Sequence, residues 1–190
     1  VESLKRTREF RRRESFTIGL AMPLPALRTG LLASCVTGLL VAQSVRAAGN
    51  LSTLTSFDGP NGSTPYAGLI WGSDGNLYGT TFQGGTNAPP TGYGTIFRLT
   101  PAGYLQSLAS FNNVNGANPR ATLVQSTDGF LYGTTELGGA NNQGTVFRAS
   151  TNGLIEVLAS CVYSNGTRPA ARLLPGTDGS WYGTAQFGGA

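Results

Sequence analysis

The sequence lacks histidine, and its 190 residues include one lysine, one methionine and two cysteines. Without an imidazole there is no Cys/His zinc site and no Ser–His pair for nucleophilic catalysis. We therefore predict no catalytic, metal-binding or cofactor-binding residues in this chain. The cysteines, Cys35 and Cys161, cannot both belong to the mature protein if the signal peptide described below is removed, and we expect Cys161 to be a buried, small apolar residue.

Charged residues are also scarce, at 12% of the sequence, and they are unevenly distributed. Residues 1–47 contain eight basic and three acidic residues, whereas residues 48–190 contain five arginines and six acidic residues. The second part therefore has no basic stripe of the kind that nucleic-acid binding requires, and that class of function is excluded. Glycine is abundant, at 28 residues, and together with 39% apolar residues it favours short strands joined by turns.

Residues 22–47 are predicted to be a secretory signal peptide. Met22 is followed by Arg28, by an apolar run that starts at Leu31, and by the small-x-small sequence that ends at Ala47. We expect cleavage after Ala47 and export of the protein from the cell. Residues 1–21 are interpreted as upstream sequence outside the natural protein or as a long n-region. A lipidated Cys35 is the alternative, because residues 32–35 match a lipoprotein processing box.

An internal repeat dominates the rest of the chain. Three stretches that begin at Ser56, Ser110 and Ser160 align without gaps. Corresponding aspartates are 50 residues apart in one pair and 54 in the other, and the four extra residues form an insertion at 88–91. The residues assigned to the structural motif are Asp74, Gly75, Tyr78, Gly79, Asp128, Gly129, Tyr132, Gly133, Asp178, Gly179, Tyr182 and Gly183.

Each repeat is predicted to contain four strands, A to D, which in the first copy cover about residues 67–71, 76–82, 94–100 and 104–111. The Asp-Gly pair between strands A and B is a tight-turn signal, and this explains it better than a calcium site does. Four antiparallel strands in about 50 residues predict an all-β fold of β-propeller-like blades. A tandem of small sandwiches is the alternative.

The predicted organisation is a lone D strand at 48–57, a first repeat at 58–111, a second at 112–161 and a truncated third at 162–190. The lone strand is a candidate for closing a ring. Propellers typically have about four to eight blades, so we expect the chain to be a fragment of an incomplete ring.

The repeat resembles the Gloeo–Verruco (GloVer) repeat of bacterial choice-of-anchor tandem-repeat proteins. The resemblance depends on residues 74–81, on the glycine pair at 84–85 and on residues 94–97, and it covers about residues 50–190. The third copy departs from the pattern at Trp181 and Ala185. The resemblance implies an exported protein that is often attached to the cell surface, commonly through a C-terminal anchor.

The loops between strands D and A (58–66 and 112–120) and those between strands B and C (83–93 and 137–143) are expected to emerge on the same face of the molecule, because the strands alternate in direction. This face is the candidate binding surface, with Asn61, Asn87, Tyr93, Asn113, Arg120, Asn141 and Asn142 as candidate binding residues. Arg98 and Arg148 recur at one position and are interpreted as structural. The predicted function is an exported binding or structural module for an extracellular glycan or protein. The alternative is a lyase or hydrolase whose active residues lie outside this sequence.

Overall fold

The computed structural model of the protein describes residues 17–18, 53–87 and 91–189. The predicted signal peptide, its cleavage site, Cys35 and residues 88–90 of the loop insertion lie outside the described residues. The predicted all-β class is confirmed, since the described part consists of antiparallel strands and one 3₁₀ turn at Tyr163–Asn165. Within it, no helix is long and apolar enough to cross a membrane.

The strands are short and follow one another along the chain. Within the described residues they are β1 (Thr17–Ile18), β2 (Thr55–Ser56), β3 (Ile70–Trp71), β4 (Leu77–Thr81), β5 (Thr95–Leu99), β6 (Leu105–Ser110), β7 (Val124–Gln125), β8 (Leu131–Thr135), β9 (Thr145–Ala149), β10 (Ile155–Ser160), β11 (Thr167–Pro169), β12 (Leu174–Pro175), β13 (Trp181–Tyr182) and β14 (Ala185–Phe187).

The predicted repeats at 58–111, 112–161 and 162–190 are here called units 1, 2 and 3. Unit 1 forms a four-stranded sheet in the order β3-β4-β5-β6, and unit 2 forms another in the order β7-β8-β9-β10. These sheets confirm the four strands that the sequence predicts for each of the two complete units. In unit 3, β12 pairs with β13 and β11 pairs with β14, while β1 pairs with β2.

Strand A is shorter than predicted. It covers Ile70–Trp71 in unit 1, whereas the sequence predicted residues 67–71. The backbone N–H of Gly68 donates to Thr122 Oγ1 in unit 2 at 3.2 Å, so this part of the chain bonds to the neighbouring unit and not to β4. The first strand is therefore shortened by a contact between units.

Each sheet has two faces, which follow from the pairing register. Tyr78 lies opposite Arg98 and Thr80 opposite Ile96, and these residues define the front face of unit 1. Gly79 lies opposite Phe97 on the other side, the back face. Ile96 and Phe97 are both buried, which confirms that apolar residues cover both faces of strand C.

The units pack front to back. Tyr78 and Ile96 on the front face of unit 1 share one apolar cluster with Leu123, Leu131 and Phe147 of unit 2. The next boundary repeats this arrangement, with the members Val124, Tyr132, Val146, Leu173 and Trp181. The rings of Tyr132 and Trp181 stack there with centroids 4.3 Å apart. Both faces of the unit 2 sheet are therefore covered, and the front face of each unit meets the back face of the next one along the chain.

An aromatic ring at the end of strand D joins successive units. Phe111 is fully buried and meets the Phe147 ring edge-on, with centroids 5.2 Å apart. Phe57 makes the same contact with Phe97 at 5.1 Å. Cys161 occupies this position after β10, and its free thiol is half-buried, less than the sequence predicted. Partial burial raises the pKa of that thiol.

The glycine in the centre of strand B makes room for an aromatic ring. A Cβ atom on Gly133 would lie 2.7 Å from Cζ of Phe147 and 2.9 Å from Cδ2 of Leu123. The equivalent Cβ on Gly183 in unit 3 would meet only Cδ2 of Leu173, at 3.0 Å. The same glycine is therefore tightly enclosed in unit 2 and loosely enclosed in unit 3.

Gly133→Ala is expected to destabilise the fold by about 1–3 kcal/mol, since the added methyl group overpacks the Phe147 ring. Gly183→Ala is the matched control, and its free energy of unfolding is expected to change much less. Urea unfolding, followed by tryptophan fluorescence, measures both. Equal losses of stability in the two variants would contradict this account of the strand B glycine.

Candidate functional site

The motif aspartates hold the A–B turns. Asp74 Oδ1 accepts the backbone N–H of Asn76 at 3.1 Å, and its Oδ2 accepts the Tyr78 hydroxyl at 2.8 Å. The turn ends at Gly75, whose φ of +78° is readily adopted only by glycine. The corresponding hydroxyl bonds are Tyr132 to Asp128 at 2.7 Å and Tyr182 to Asp178 at 2.8 Å. Both carboxylate oxygens therefore serve the turn.

These contacts move the pKa values of the aspartate carboxyl and the tyrosine hydroxyl further apart. Hydrogen bonds lower the pKa of all three aspartates, chiefly from Asn76 to Asp74, from Tyr132 to Asp128 and from the Ser180 backbone to Asp178. Burial and the bond to Asp74 raise the pKa of Tyr78, and the bond to Asp128 followed by burial raises that of Tyr132. Neither partner is thereby tuned toward neutral pH, where acid–base catalysis operates.

The D–A loops are closed by asparagine side chains. Asn61 Oδ1 accepts the backbone N–H of Asp58 at 2.9 Å, and Asp58 Oδ1 accepts the backbone N–H of Asn61 at 3.0 Å. Asn112 and Asn115 exchange the same two bonds, both at 2.9 Å. Asn113 lies inside that loop with a φ of +69°. The asparagines of these loops therefore shape the backbone.

Asparagines also fasten the B–C loops. Asn87 Nδ2 donates to the Phe111 carbonyl at 3.0 Å, and Asn141 Nδ2 donates to the Cys161 carbonyl at 3.3 Å. Asn142 has a φ of +52°, and its Oδ1 accepts the Gly138 N–H at 3.1 Å. Most of the predicted binding asparagines thus have their amide groups engaged within the loops.

The two kinds of loop lie together, as predicted. Within unit 1, the Ser63 N–H donates to the Gln83 carbonyl at 2.8 Å. Across the boundary, the Asn118 N–H donates to the Tyr93 carbonyl at 2.8 Å, and Asn118 Nδ2 donates to the Phe82 carbonyl at 2.9 Å. The Tyr93 side chain is half-buried against the apolar cluster between units 1 and 2. Tyr93 therefore has a packing role in addition to its place on the loop face.

Arg120 belongs to a partly exposed group of side chains at this boundary. Its Cζ lies 5.3 Å from the ring centre of Tyr66 and 5.2 Å from that of Phe82, and its Nε lies 3.5 Å from Oε2 of Glu136. The Tyr66 and Phe82 rings are tilted, with centroids 5.2 Å apart. We call these four residues the boundary cluster. Two of them come from unit 1 and two from unit 2.

The boundary cluster occupies two positions at which the units differ. The residue after the shared proline is Tyr66, Arg120 or Ala170, and the fourth residue after the motif tyrosine is Phe82, Glu136 or Gln186. Among these residues the sequence analysis identified Arg120 but missed Tyr66, Phe82 and Glu136. Their signal was available, because they directly follow a constant motif and vary from copy to copy.

The other recurring arginines have structural partners. Arg98 Nη2 donates to Gln106 Oε1 at 2.6 Å, and Arg148 Nη2 lies 2.7 Å from Glu156 Oε2. Both contacts cross from strand C to strand D, which confirms the structural interpretation of this position. Arg120, by contrast, donates no side-chain hydrogen bond within the part of the chain that the structure describes, and Glu136 is its ion-pair partner there.

Tyr132→Phe is expected to lower the free energy of unfolding by about 1.5 kcal/mol, because it removes a part-buried hydrogen bond to a charged group. Tyr182→Phe is the matched control. That side chain is 54% exposed, so water replaces the lost bond and the effect is smaller. Thermal unfolding at neutral pH measures both, and equal losses would contradict the assigned role of burial.

The pH dependence provides a second measurement on the same variant. The folded pKa of Asp128 is lowered, so its stabilisation is present above the unfolded pKa of about 3.9 and is lost as the pH falls through the folded value. When the pH falls below about 3.9, the Tyr132→Phe variant should therefore lose less stability than the wild type does. An unchanged acid profile would count against the Asp128–Tyr132 bond.

The chain was compared with known proteins and families. No curated protein matches it. The family model of the Gloeobacter/Verrucomicrobia repeat matches residues 39–190, a range that includes both four-stranded sheets and the boundary cluster. The resemblance seen in the Asp-Gly, Tyr-Gly-Thr and Gly-Gly motifs is thereby confirmed. The chain belongs to the Gloeobacter/Verrucomicrobia repeat family.

Proposed function

We propose that this protein is an exported or cell-surface binding module, built as a β-propeller from its repeated four-stranded sheets. Front-to-back packing supports this architecture, because blades around an axis turn the same face toward their successors. In a tandem of separate sandwiches each sheet would keep one face toward solvent. The unit 2 sheet instead contributes to an apolar cluster on each of its faces.

Export is supported by the predicted signal peptide and by the nearly balanced charge of residues 48–190. Mass spectrometry of the protein recovered from the medium or the cell surface is expected to find Ala48 as the first residue. A fatty-acylated Cys35 at the N-terminus would instead support a lipoprotein, and a chain that retains residues 22–47 would contradict export by cleavage.

The boundary cluster is the observation that carries the binding proposal. The residues that every unit keeps are engaged in the turns, the loops and the packing between units. The cluster lies where units 1 and 2 differ in sequence, and its Tyr66 side chain is 59% exposed. An exposed aromatic ring beside an arginine is the composition that binding surfaces favour. Function is therefore assigned to the differences between units and not to the repeated motif.

Replacement of Tyr66 by serine is expected to abolish or strongly weaken binding of the full chain on an array of extracellular glycans and proteins. Trp71→Ser is the matched control, since Trp71 is 65% exposed and lies beside the A–B turn, at the other end of the unit 1 sheet. Equal losses in both variants would contradict the assignment of the loop face. Turnover of an arrayed glycan would favour a lyase or hydrolase.

A further inference from the structure

We propose that the boundary cluster binds a carboxylate-bearing sugar of the uronate class, with the sugar ring against Tyr66 and its carboxylate on Arg120. This inference rests on the proposed binding function and specifies its ligand. The groups that carry it are an exposed ring and an arginine that donates no side-chain hydrogen bond to the described residues. Both lie on the loop face at the boundary between units 1 and 2.

The Tyr66 ring supplies an apolar surface that solvent reaches. Aromatic side chains combine a large flat face with a polar tip, and one face of a pyranose ring presents C–H bonds that pack against such a surface. Phe82 supports Tyr66 from within unit 1, with the ring planes at 58°. The residue equivalent to Tyr66 in unit 3 is Ala170, so this aromatic pair is a local feature and not a requirement of the repeat.

Arg120 supplies the charge. A guanidinium group has five N–H donors in a planar fork that matches a carboxylate with two parallel hydrogen bonds. The Arg120 side chain is 43% exposed, and the 3.5 Å between its Nε and Glu136 Oε2 makes an ion pair without a hydrogen bond. Its two Nη groups donate to no described residue and can serve as donors for a ligand.

Glu136 positions this arginine and also opposes an acidic ligand. Its side chain is only 12% exposed, and its buried Oε2 accepts no hydrogen bond within the described residues. A buried carboxylate beside the guanidinium holds Arg120 over the two rings, yet it repels a second carboxylate that arrives there. Removal of the Glu136 charge should therefore strengthen binding of a uronate. The same change would weaken binding of a ligand that is held by a hydrogen bond to Glu136.

A peptide is a poorer fit to the boundary cluster. Peptides are commonly held by backbone hydrogen bonds along an open strand edge or by an apolar groove. The backbone at two of the four positions is already paired, since the Phe82 N–H donates to the Thr64 carbonyl and the Glu136 N–H donates to the Asn118 carbonyl, at 3.0 and 3.1 Å. The Phe82 carbonyl accepts Asn118 Nδ2. At these two positions recognition is left mainly to the side chains, which suits a sugar better than an extended peptide.

The test is titration calorimetry of the full chain with an α-1,4-linked galacturonate hexamer and with the same hexamer after methyl esterification of its carboxyl groups. The acidic hexamer is expected to bind more tightly than the ester, and more weakly as the salt concentration rises. Arg120→Gln should weaken binding of the acidic hexamer about tenfold or more. Arg172→Gln is the control, because it removes the same charge outside the cluster and should leave binding unchanged.

Two further variants keep the outcome interpretable. Arg120→Lys keeps the charge but lacks the planar fork, so its loss of affinity should be smaller than that of Arg120→Gln. Glu136→Gln should bind the acidic hexamer more tightly than the wild type. Circular dichroism of each variant confirms that it is folded before titration.

The inference is overturned if the ester binds as tightly as the acid, if Arg120→Gln and Arg172→Gln weaken binding equally, or if Glu136→Gln weakens it. It is also overturned if the folded wild type binds no galacturonate but binds another glycan, or an acidic peptide, through Tyr66. In that case the proposed binding function still stands. Absence of binding to any arrayed glycan or protein would instead count against the binding function itself.

Discussion

The structure depends on the contact between the front face of one unit and the back face of the next. A short four-stranded sheet has two apolar faces and cannot bury either of them alone. Here Tyr78 and Ile96 of unit 1 are buried by Leu131 and Phe147 of unit 2, and Phe111 fills the space where the chain passes between them. The glycine in the centre of strand B leaves room for the tip of the Phe147 ring. The turns and loops serve to hold these faces in register.

Much of the fold could be predicted because its signals are local. The Asp-Gly turns, the alternation in strand C and the positions of strands B, C and D depend on residues close together in the sequence. Strand A was predicted too long because the partner of Gly68 is Thr122, which is 54 residues further along the chain. Cys161 was predicted to be buried because Phe57 and Phe111 occupy equivalent positions, but its burial depends on neighbours that a motif does not specify.

The candidate site was predictable only in part, because it also depends on contacts between residues that are far apart in the sequence. Asparagines in long loops resemble binding residues in a sequence, yet Asn61, Asn87 and Asn142 each bond to backbone groups of the fold. Arg120 was identified, whereas Tyr66 and Phe82 were missed because they approach it only across the boundary between units. Glu136 was missed because it approaches Arg120 only through the backbone bond between the Glu136 N–H and the Asn118 carbonyl. A comparison of equivalent positions among the units, made before any search for motifs, would have separated the constant scaffold from the residues that are free to differ.

The directional packing has an evolutionary consequence. Each unit carries both halves of the contact, a front face and the back face that fits it, so a tandem duplication of the gene segment supplies a new unit with a ready-made interface on either side. The boundary between units 1 and 2 also brings together two positions at which the units differ, the one after the shared proline and the fourth after the motif tyrosine. Units can therefore be added without a change in the packing between units, because the front and back faces supply the stability. Sequence variation at the boundaries can then change the surface separately.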